Sequence, residues 1–100
     1  MPTSFQLKVW SECRKIPRGR ISTYKEIANA LDTKAFRAVG MALNKSPGMP
    51  EVPCHRVVES SGKLGGFAHK PKEKKKLLEK EGVCVTKGKI KDFEKVFLRL

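Results

Sequence analysis

Apolar and polar positions along the first part of the chain follow the period of an α-helix. The apolar residues that share one helical face are Phe5, Val9, Trp10, Cys13 and Ile16. Thr3 and Gln6 have the spacing of a capping box, so the helix is expected to start near residue 3 or 4. Pro17 ends it, because the residue before a proline avoids helical dihedrals. Cys13 is therefore predicted to pack in a core.

Two short helices are predicted next, with few residues between them. The first opens on the capping-box pattern of Thr23 and Glu26, with Ile27, Ala28 and Leu31 on its inner side. The second, over about residues 34–44, can be capped by Asp32 or Thr33. Such a pair is typical of a helix-turn-helix, although helix pairs with short turns also occur throughout all-α proteins.

The second of these helices carries features that suit a nucleic-acid contact. Arg37 lies near its start, in the half of a recognition helix that approaches DNA, and a solvated surface arginine is the alternative. Gly40 and Ala42 allow close approach, either by a neighbouring helix or by a nucleic-acid backbone.

The second half of the chain alternates turns with short elements. The predicted elements are a loop over 45–51, a small hairpin or wing over 59–64, a helix over 72–81 with Pro71 in its first turn and Gly82 after its end, a turn at Lys87-Gly88, and a last short helix capped by Asp92. Cys84, between two valines, is predicted to be buried and inert. The predicted fold is mainly α with a small β-hairpin.

Composition adds a partner class to this picture. The 100 residues include 22 Lys plus Arg against 10 Asp plus Glu, a formal net charge of +12. Such a charge favours a polyanion, nucleic acid first and an anionic membrane surface second, while a heat-tolerant charged surface is the alternative. No apolar run approaches the roughly 18 residues of a membrane span and no signal peptide opens the chain, so a cytoplasmic or nucleoid-associated protein is expected.

The cysteine count argues against a disulfide framework. The three cysteines form no C-x-x-C pair, and no recognised zinc spacing is present. A metal held by Cys54, His55, His69 and Cys84 is not excluded by spacing alone, but neither a metal nor a cofactor is predicted.

The stretch Pro53-Cys54-His55-Arg56 followed by two valines carries the clearest chemistry. Cationic neighbours lower the pKa of a thiol and so prepare it as a nucleophile. In an extended segment, however, Cys54 and His55 point to opposite faces, so a proton relay needs a turn or a water between them. A carboxylate could orient the imidazole. The candidates, among which spacing does not choose, are Glu51, Glu59, Glu79 and Glu81.

These residues suggest covalent chemistry on nucleic acid. A cysteine hydrolase is the competing enzyme, but no oxyanion-hole motif is identifiable. A DNA-binding regulator would explain the charge and the helices and would leave Cys54 and His55 without a role.

Residues 53–57, Pro-Cys-His-Arg-Val, resemble the active-site motif of the O6-alkylguanine-DNA alkyltransferases, also called methylated-DNA-protein-cysteine methyltransferases. The resemblance extends over almost the whole chain. The further matching segments are Ser22-Thr23-Tyr24 with Ile27-Ala28, Arg37-Ala38-Val39-Gly40, Gly62 to Phe67, and Leu77-Leu78 with Glu81-Gly82. It implies one winged-helix-like domain over 1–100, with the helix-turn-helix at about 23–44 and an active-site loop at about 60–70.

The resemblance also implies a reaction. It is an irreversible, single-turnover transfer of a methyl or small alkyl group from O6 of guanine, with O4 of thymine as a further substrate, to the protein's own cysteine. The family binds double-stranded DNA as a monomer through the minor groove and flips the damaged base into a pocket. The catalytic roles that follow are Cys54 as acceptor, His55 as its base through a bridging water, Glu81 as the group orienting His55, Tyr24 as donor to the departing guanine, and Lys74 near the pocket.

The remaining site residues are carried over in the same way. DNA contacts are implied for Thr23, Tyr24, Arg37, Ala38, Gly40 and Arg56, with Arg37 filling the gap left by the flipped base. Pocket positions are implied for Ser46, Val57, Gly65, Gly66, Phe67 and Ala68, and the carbonyls of Cys54 and Val57 would read the exocyclic amine.

The chain departs from the family pattern at several positions. Ser46 stands where an asparagine is usual, Phe67 replaces a common tyrosine and Ala68 a frequent serine, which leaves the pocket less polar. Most members also carry an N-terminal α/β domain, so this is either a minimal member or part of a longer chain. The related alkyltransferase-like proteins replace the cysteine, often with tryptophan, and only bind lesions. Cys54 argues against that alternative, which is retained.

Overall fold

The computed structural model describes residues 2–47, 51–64 and 71–100. Its helices are α1 (Ser4–Cys13), α2 (Tyr24–Ala30), α3 (Phe36–Asn44), α4 (Pro71–Lys80) and α5 (Phe93–Val96), with a single 3-10 turn at Cys54–Arg56 within the described ranges. Its strands are β1 (Ser22–Thr23), β2 (Val57–Val58), β3 (Val85–Thr86) and β4 (Lys89–Ile90). The fold is mainly α with a small hairpin, as predicted, and it is a winged-helix-like helix-turn-helix domain.

Helix α1 begins where its cap predicts. The Thr3 hydroxyl accepts a hydrogen bond from the Gln6 N–H at 3.1 Å, and Gln6 Oε1 accepts one from the Thr3 N–H at 2.9 Å, which confirms the capping box. Val9 and Cys13 on its inner face are fully buried. Trp10 Nε1 donates to the Ala42 carbonyl at 2.7 Å, so a buried hydrogen bond ties α1 to α3.

Helix α2 uses only half of its predicted capping box. Thr23 Oγ1 accepts from the Glu26 N–H at 3.0 Å. Glu26 does not return the bond, because its Oε1 accepts instead from the Leu100 N–H at 2.9 Å. The C-terminal end of the chain therefore contacts the first turn of α2.

The predicted cap of α3 is wrong. The helix begins at Phe36, its N-cap is Ala35, and no side chain caps it. Asp32 lies in the connection with a positive φ of 55°, and the Thr33 hydroxyl accepts from the Ala35 N–H at 3.2 Å before the helix starts. The connection between α2 and α3 is therefore longer than expected, and α3 begins at residue 36 rather than at about residue 34.

A parallel strand pair, which no sequence pattern predicted, connects the two halves of the molecule. Strand β1 pairs with β2 in parallel, with Ser22 opposite Val57 and Thr23 opposite Val58. All four residues are buried. Because β1 runs directly into α2 and β2 follows the 3-10 turn directly, the pair fixes the helix-turn-helix against the Cys54 motif.

The segment after α5 lies along the other edge of β1. Ile21 and Phe97 form a parallel bridge, the Ile21 N–H donates to the Val96 carbonyl at 2.8 Å, and the Leu98 N–H donates to the Ile21 carbonyl at 2.8 Å. Ser22 Oγ donates to the Leu98 carbonyl at 2.9 Å. Residues 96–98 thus act as a third parallel strand.

The β3–β4 hairpin has the predicted turn. Lys87 and Gly88 both have positive φ, 53° and 77°. The hairpin or wing expected over 59–64 is a tight turn closed by the Glu59 N–H donating to the Lys63 carbonyl at 2.9 Å. This turn pairs with β4, because Lys63 and Lys89 form an antiparallel bridge.

Two expectations near the C-terminal end are wrong. Cys84 is exposed rather than buried, because the buried residues of its segment are the flanking Val83 and Val85. Asp92 precedes α5 in a left-handed conformation with φ 53°, and its side chain makes no capping hydrogen bond. A carboxylate in that backbone conformation does not meet the first N–H groups of the helix.

The described residues form two apolar clusters. One lies between α1, α2, α3 and the 3-10 turn and includes Cys13 and Cys54. The other lies beneath α4 and the hairpin and includes Ile21, Val58 and Leu78. Cys13 is fully buried, as predicted for a packing residue. In the part of the chain that the structure describes, no helix has the length and apolarity needed to span a bilayer.

Candidate active site

The motif that contains Cys54 forms a turn rather than an extended segment. The Cys54 N–H donates to the Val52 carbonyl at 2.8 Å and the Arg56 N–H donates to the Pro53 carbonyl at 3.0 Å, which closes the 3-10 turn. The expectation of extended chain holds only from Val57 onward. The turn removes the obstacle that an extended backbone would place between Cys54 and His55. Only 8% of Cys54 is exposed, and its side chain is part of the first apolar cluster.

His55 is buried beside a carboxylate. Only 1% of its surface is exposed, and its Nε2 lies 3.1 Å from Glu81 Oε1. Nδ1, which is also buried, makes no hydrogen bond within the described ranges. Burial lowers the pKa of His55, and the neighbouring Glu81 carboxylate opposes part of that shift. The imidazole is therefore neutral at pH 7 and has the capacity to accept a proton.

Glu81 is clamped by Arg56. Arg56 Nε donates to Glu81 Oε1 at 2.9 Å and Nη2 donates to Oε2 at 2.5 Å, while Nη1 donates to the Ile16 carbonyl at 2.8 Å. Burial raises the pKa of the Glu81 carboxyl, but the bonds from Arg56 and His55 outweigh burial and lower it overall. A bidentate pair of this kind fixes the carboxylate in one orientation. Of the four candidate carboxylates, Glu81 is the one that the structure brings to His55.

This clamp changes the interpretation of two residues that were expected to contact DNA. The guanidinium of Arg56 points inward to Glu81 and Ile16, and only 11% of its side chain is exposed. Thr23 is 3% exposed and its hydroxyl caps α2. The structure therefore presents neither side chain to a DNA backbone. A buried arginine needs a partner for its charge, but no pattern in the sequence indicated that Arg56 would be buried.

Lys74 is fully buried against Tyr24. Lys74 Nζ lies 3.4 Å from the Tyr24 hydroxyl and 5.7 Å from the ring centroid. Burial lowers the pKa of Lys74 to about 8 and raises the pKa of Tyr24 to about 12, with Glu59 adding to the latter shift. The Tyr24 hydroxyl thus keeps its proton at neutral pH. The lysine-rich run of α4 predicted a solvated face, which describes the exposed Lys75 and Lys76 but not Lys74.

The outer face of α3 is open. Arg37 is exposed, and Ala38 and Gly40 are partly exposed. A Cβ built on Gly40 would meet no described atom within 4 Å, so packing of a neighbouring helix does not account for this glycine.

A cleft of about 590 Å³ opens beside Tyr24. Lys34 and Phe36 border it at the start of α3, and Glu59 and Ser60 border it on the turn after β2. The cleft thus connects the helix-turn-helix to the segment that leaves the nucleophile motif.

The remaining pocket residues are only partly accounted for. Val57 is fully buried, and Ser46 is 8% exposed with an Oγ that has no hydrogen-bond partner within the described ranges. The expectations for Gly65, Gly66, Phe67 and Ala68, like most of the loop over 60–70, lie outside the described residues. His69 does as well. Over residues 2–47, 51–64 and 71–100, no group of three His, Cys, Asp or Glu side chains is placed to hold a metal ion.

Comparison with known proteins places this site in a family. The family model described as 6-O-methylguanine DNA methyltransferase, DNA binding domain, matches residues 4–83. A methylated-DNA-protein-cysteine methyltransferase of Sulfolobus acidocaldarius is 52% identical over 82 residues, which are 82% of this chain and 52% of that protein. One from Metallosphaera sedula is 47% identical over 88 residues, 88% of this chain and 55% of that protein. The chain spans about half the length of these curated relatives.

Solved structures give the same family. The OGT of Mycobacterium tuberculosis in complex with DNA matches with a TM-score of 0.76 and 43% identity over 81% of this chain and 51% of its own. S. pombe Atl1, in complex with damaged DNA containing O6-carboxymethylguanine, matches with a TM-score of 0.83 and 30% identity over 96% of this chain and 95% of its own. The chain therefore belongs to the 6-O-methylguanine DNA methyltransferase family, and its residues 4–83 match the model of that family's DNA-binding domain.

Proposed function

We propose that this chain repairs double-stranded DNA by moving a methyl or small alkyl group from O6 of guanine, or from O4 of thymine, to Sγ of Cys54. The observation that carries the proposal is the arrangement around the Cys54 turn: the buried imidazole of His55, the next residue, lies 3.1 Å from the Glu81 carboxylate, which Arg56 holds in place. The match of the family model to residues 4–83 supports the same reaction.

In this proposal His55 prepares the thiol. It takes the Cys54 proton through a bridging water, and Glu81 stabilises the imidazolium that forms. The thiolate attacks the alkyl carbon, so an S–C bond forms as the O6–C bond breaks and the electron pair stays on the guanine oxygen. A thioether does not return to thiol and alkyl donor under these conditions, so each chain acts once.

Tyr24 and Lys74 serve the departing guanine. The guanine gains negative charge as its alkyl group leaves, and a protonated tyrosine hydroxyl can donate to it. The raised pKa of Tyr24 supports this role because the proton is retained at neutral pH. Lys74, whose Nζ lies 3.4 Å from that hydroxyl, orients it. The carbonyls of Cys54 and Val57 would accept from the exocyclic amine.

DNA would reach this site through the outer face of α3. The O6 substituent is inaccessible inside the base stack, so the damaged nucleotide must be turned out of the duplex. Arg37, exposed near the start of α3, would fill the space that the base leaves, and the small residues Ala38 and Gly40 would admit the backbone of the minor groove. The chain would act as a monomer.

Mass spectrometry after incubation with an oligonucleotide duplex containing O6-methylguanine tests the proposal. We expect one added methyl group, on the peptide that contains Cys54. The Cys54→Ala variant should gain none, whereas Cys84→Ala, which removes an exposed cysteine away from the motif, should react as the unaltered chain does. A duplex with undamaged guanine is the second control.

A lesion-binding damage sensor is the second candidate. It is favoured by the match to S. pombe Atl1, which covers nearly the whole of both chains. Tight binding of the lesion-containing duplex with no change in protein mass would select the sensor. Arg37→Ala further separates binding from chemistry, because it should impair base flipping and leave Cys54 reactive toward a small alkylating reagent.

A further inference from the structure

The β3–β4 hairpin lies beyond the region that the family model matches, which ends at residue 83. It is nevertheless joined to the turn that follows the nucleophile motif. The Ile90 N–H donates to the Gly62 carbonyl at 2.8 Å, and the Leu64 N–H donates to the Gly88 carbonyl at 3.2 Å. The β3–β4 hairpin is therefore hydrogen-bonded to the turn over residues 59–64.

Two lysines face each other across this junction. Lys63 and Lys89 are directly opposite in an antiparallel bridge, and both side chains are exposed. Like charges directly opposite across strands repel and destabilise the pairing. Lys87, also exposed, lies at the tip of the same hairpin. None of the three lysines belongs to an ion pair within residues 2–47, 51–64 and 71–100.

The turn that ends at Lys63 begins at the border of the cleft. Glu59 and Ser60, at the start of the turn, border the cleft beside Tyr24, and Lys63 ends the same turn. The Lys63–Lys89 junction is thus connected to the cleft beside Tyr24 by a single turn of the chain. Lys63 lies three positions after Ser60 on this turn, and Lys89 is directly opposite Lys63 in the antiparallel bridge.

We propose that Lys63, Lys87 and Lys89 form a phosphate-binding ridge that contacts the DNA backbone next to the damaged nucleotide. A phosphate between Lys63 and Lys89 would attract both lysines. DNA binding would therefore offset the electrostatic repulsion between these two lysines in the free protein. The inference rests on the proposed function only in taking duplex DNA as the partner, since the ridge has no part in alkyl transfer.

The salt dependence of DNA binding tests the ridge. Each phosphate contact contributes about 0.9 to the slope of log K against log salt concentration. In a Cys54→Ala background, with a duplex containing O6-methylguanine, Lys63→Ala and Lys89→Ala should each reduce the slope by about that amount. Lys8→Ala is the matched control, because it removes the same charge from an exposed position on α1.

Charge reversal separates binding from folding. Lys89→Glu places a carboxylate opposite Lys63, so its thermal midpoint should rise or stay constant while its affinity for the duplex falls at least tenfold at 50 mM salt. A midpoint that falls together with the affinity would overturn the inference, as would a slope in Lys89→Ala equal to that of Lys8→Ala. Should the chain with Cys54 intact transfer no methyl group while the lysine variants lose slope, the proposed repair reaction fails and the ridge stands.

Discussion

His55 illustrates how burial and one charged neighbour set the chemistry of a single residue. Burial lowers the pKa of His55, and the Glu81 carboxylate raises it in part. His55 is therefore neutral near pH 7 and can still accept a proton. Spacing along the sequence left four carboxylates as partners, and the family resemblance implied Glu81. The structure places Glu81, the residue after α4, beside His55, and this placement depends on how α4 docks.

The pH dependence of alkyl transfer follows from this pKa. Single-turnover rate constants on an O6-methylguanine duplex should be constant near neutral pH and fall only at a pH below the ordinary histidine pKa of 6.5, because protonated His55 accepts no further proton. Glu81→Gln removes the group that raises the pKa of His55, so its plateau should be lower and its acid limb should move to lower pH. An acid limb that stays above pH 7 in the unaltered chain would contradict the assignment of His55.

Lys74 is a residue whose burial costs stability. Its pKa of about 8, against 10.5 in water, corresponds to about 3 kcal/mol of unfavourable free energy for the charged form at neutral pH. Lys74→Met should therefore raise the free energy of unfolding at pH 7 by 1 to roughly 3 kcal/mol, measured by urea titration.

The advantage of Lys74→Met should shrink at higher pH. Between about pH 8 and 10.5 the unfolded chain holds the Lys74 proton and the folded chain does not, so the stability of the unaltered protein rises with pH in that window. From pH 7 to pH 9 the difference between variant and unaltered protein should narrow by about 1 kcal/mol. A difference that stays constant would mean that Lys74 does not titrate in this range.

At the scale of elements, the parallel sheet is what the sequence could not reveal. Apolar periodicity and capping residues predict helices α1, α2 and α4, and the glycine predicts the Lys87-Gly88 turn. Strands β1 and β2 have two residues each and are separated by more than thirty positions, so neither has a pattern of its own. The same limit hid the third strand after α5.

Proline substitution measures the contribution of that third strand. Leu98→Pro deletes the N–H that donates to the Ile21 carbonyl at 2.8 Å and should lower the free energy of unfolding by about 2 kcal/mol. Arg99→Pro is the matched control, because Arg99 is exposed and its N–H makes no backbone hydrogen bond among the described residues. Equal losses in both variants would indicate a general effect of proline rather than the loss of the strand bond.

At the scale of the whole molecule, the two apolar clusters meet at β2, where Val57 belongs to the first and Val58 to the second. Cys54 is part of the cluster formed by α1, α2 and α3, and β2, which follows it, contributes Val58 to the other. Because only 8% of Cys54 is exposed, we expect a methyl group added to it to be largely enclosed by its neighbours. Extra atoms in a packed core typically cost 1 to roughly 3 kcal/mol.

Thermal unfolding before and after reaction tests this consequence. Protein that has reacted with one equivalent of O6-methylguanine duplex should unfold at least about 4 °C lower than unreacted protein, both freed of DNA. Protein treated with undamaged duplex should keep its original midpoint. An unchanged midpoint after confirmed methylation would show that the space around Cys54 accepts the group without strain.

The proposed repair reaction would use one protein molecule for each lesion, and the burial of Cys54 would affect the stability of that used molecule. Because the acceptor is a side chain of the protein itself, the number of lesions that a cell could repair would be limited by its number of unreacted protein molecules rather than by a turnover rate. Because that side chain lies in the core, each used molecule would also differ in stability from each fresh one. Protein quality control could then tell spent chains from active ones without any dedicated signal.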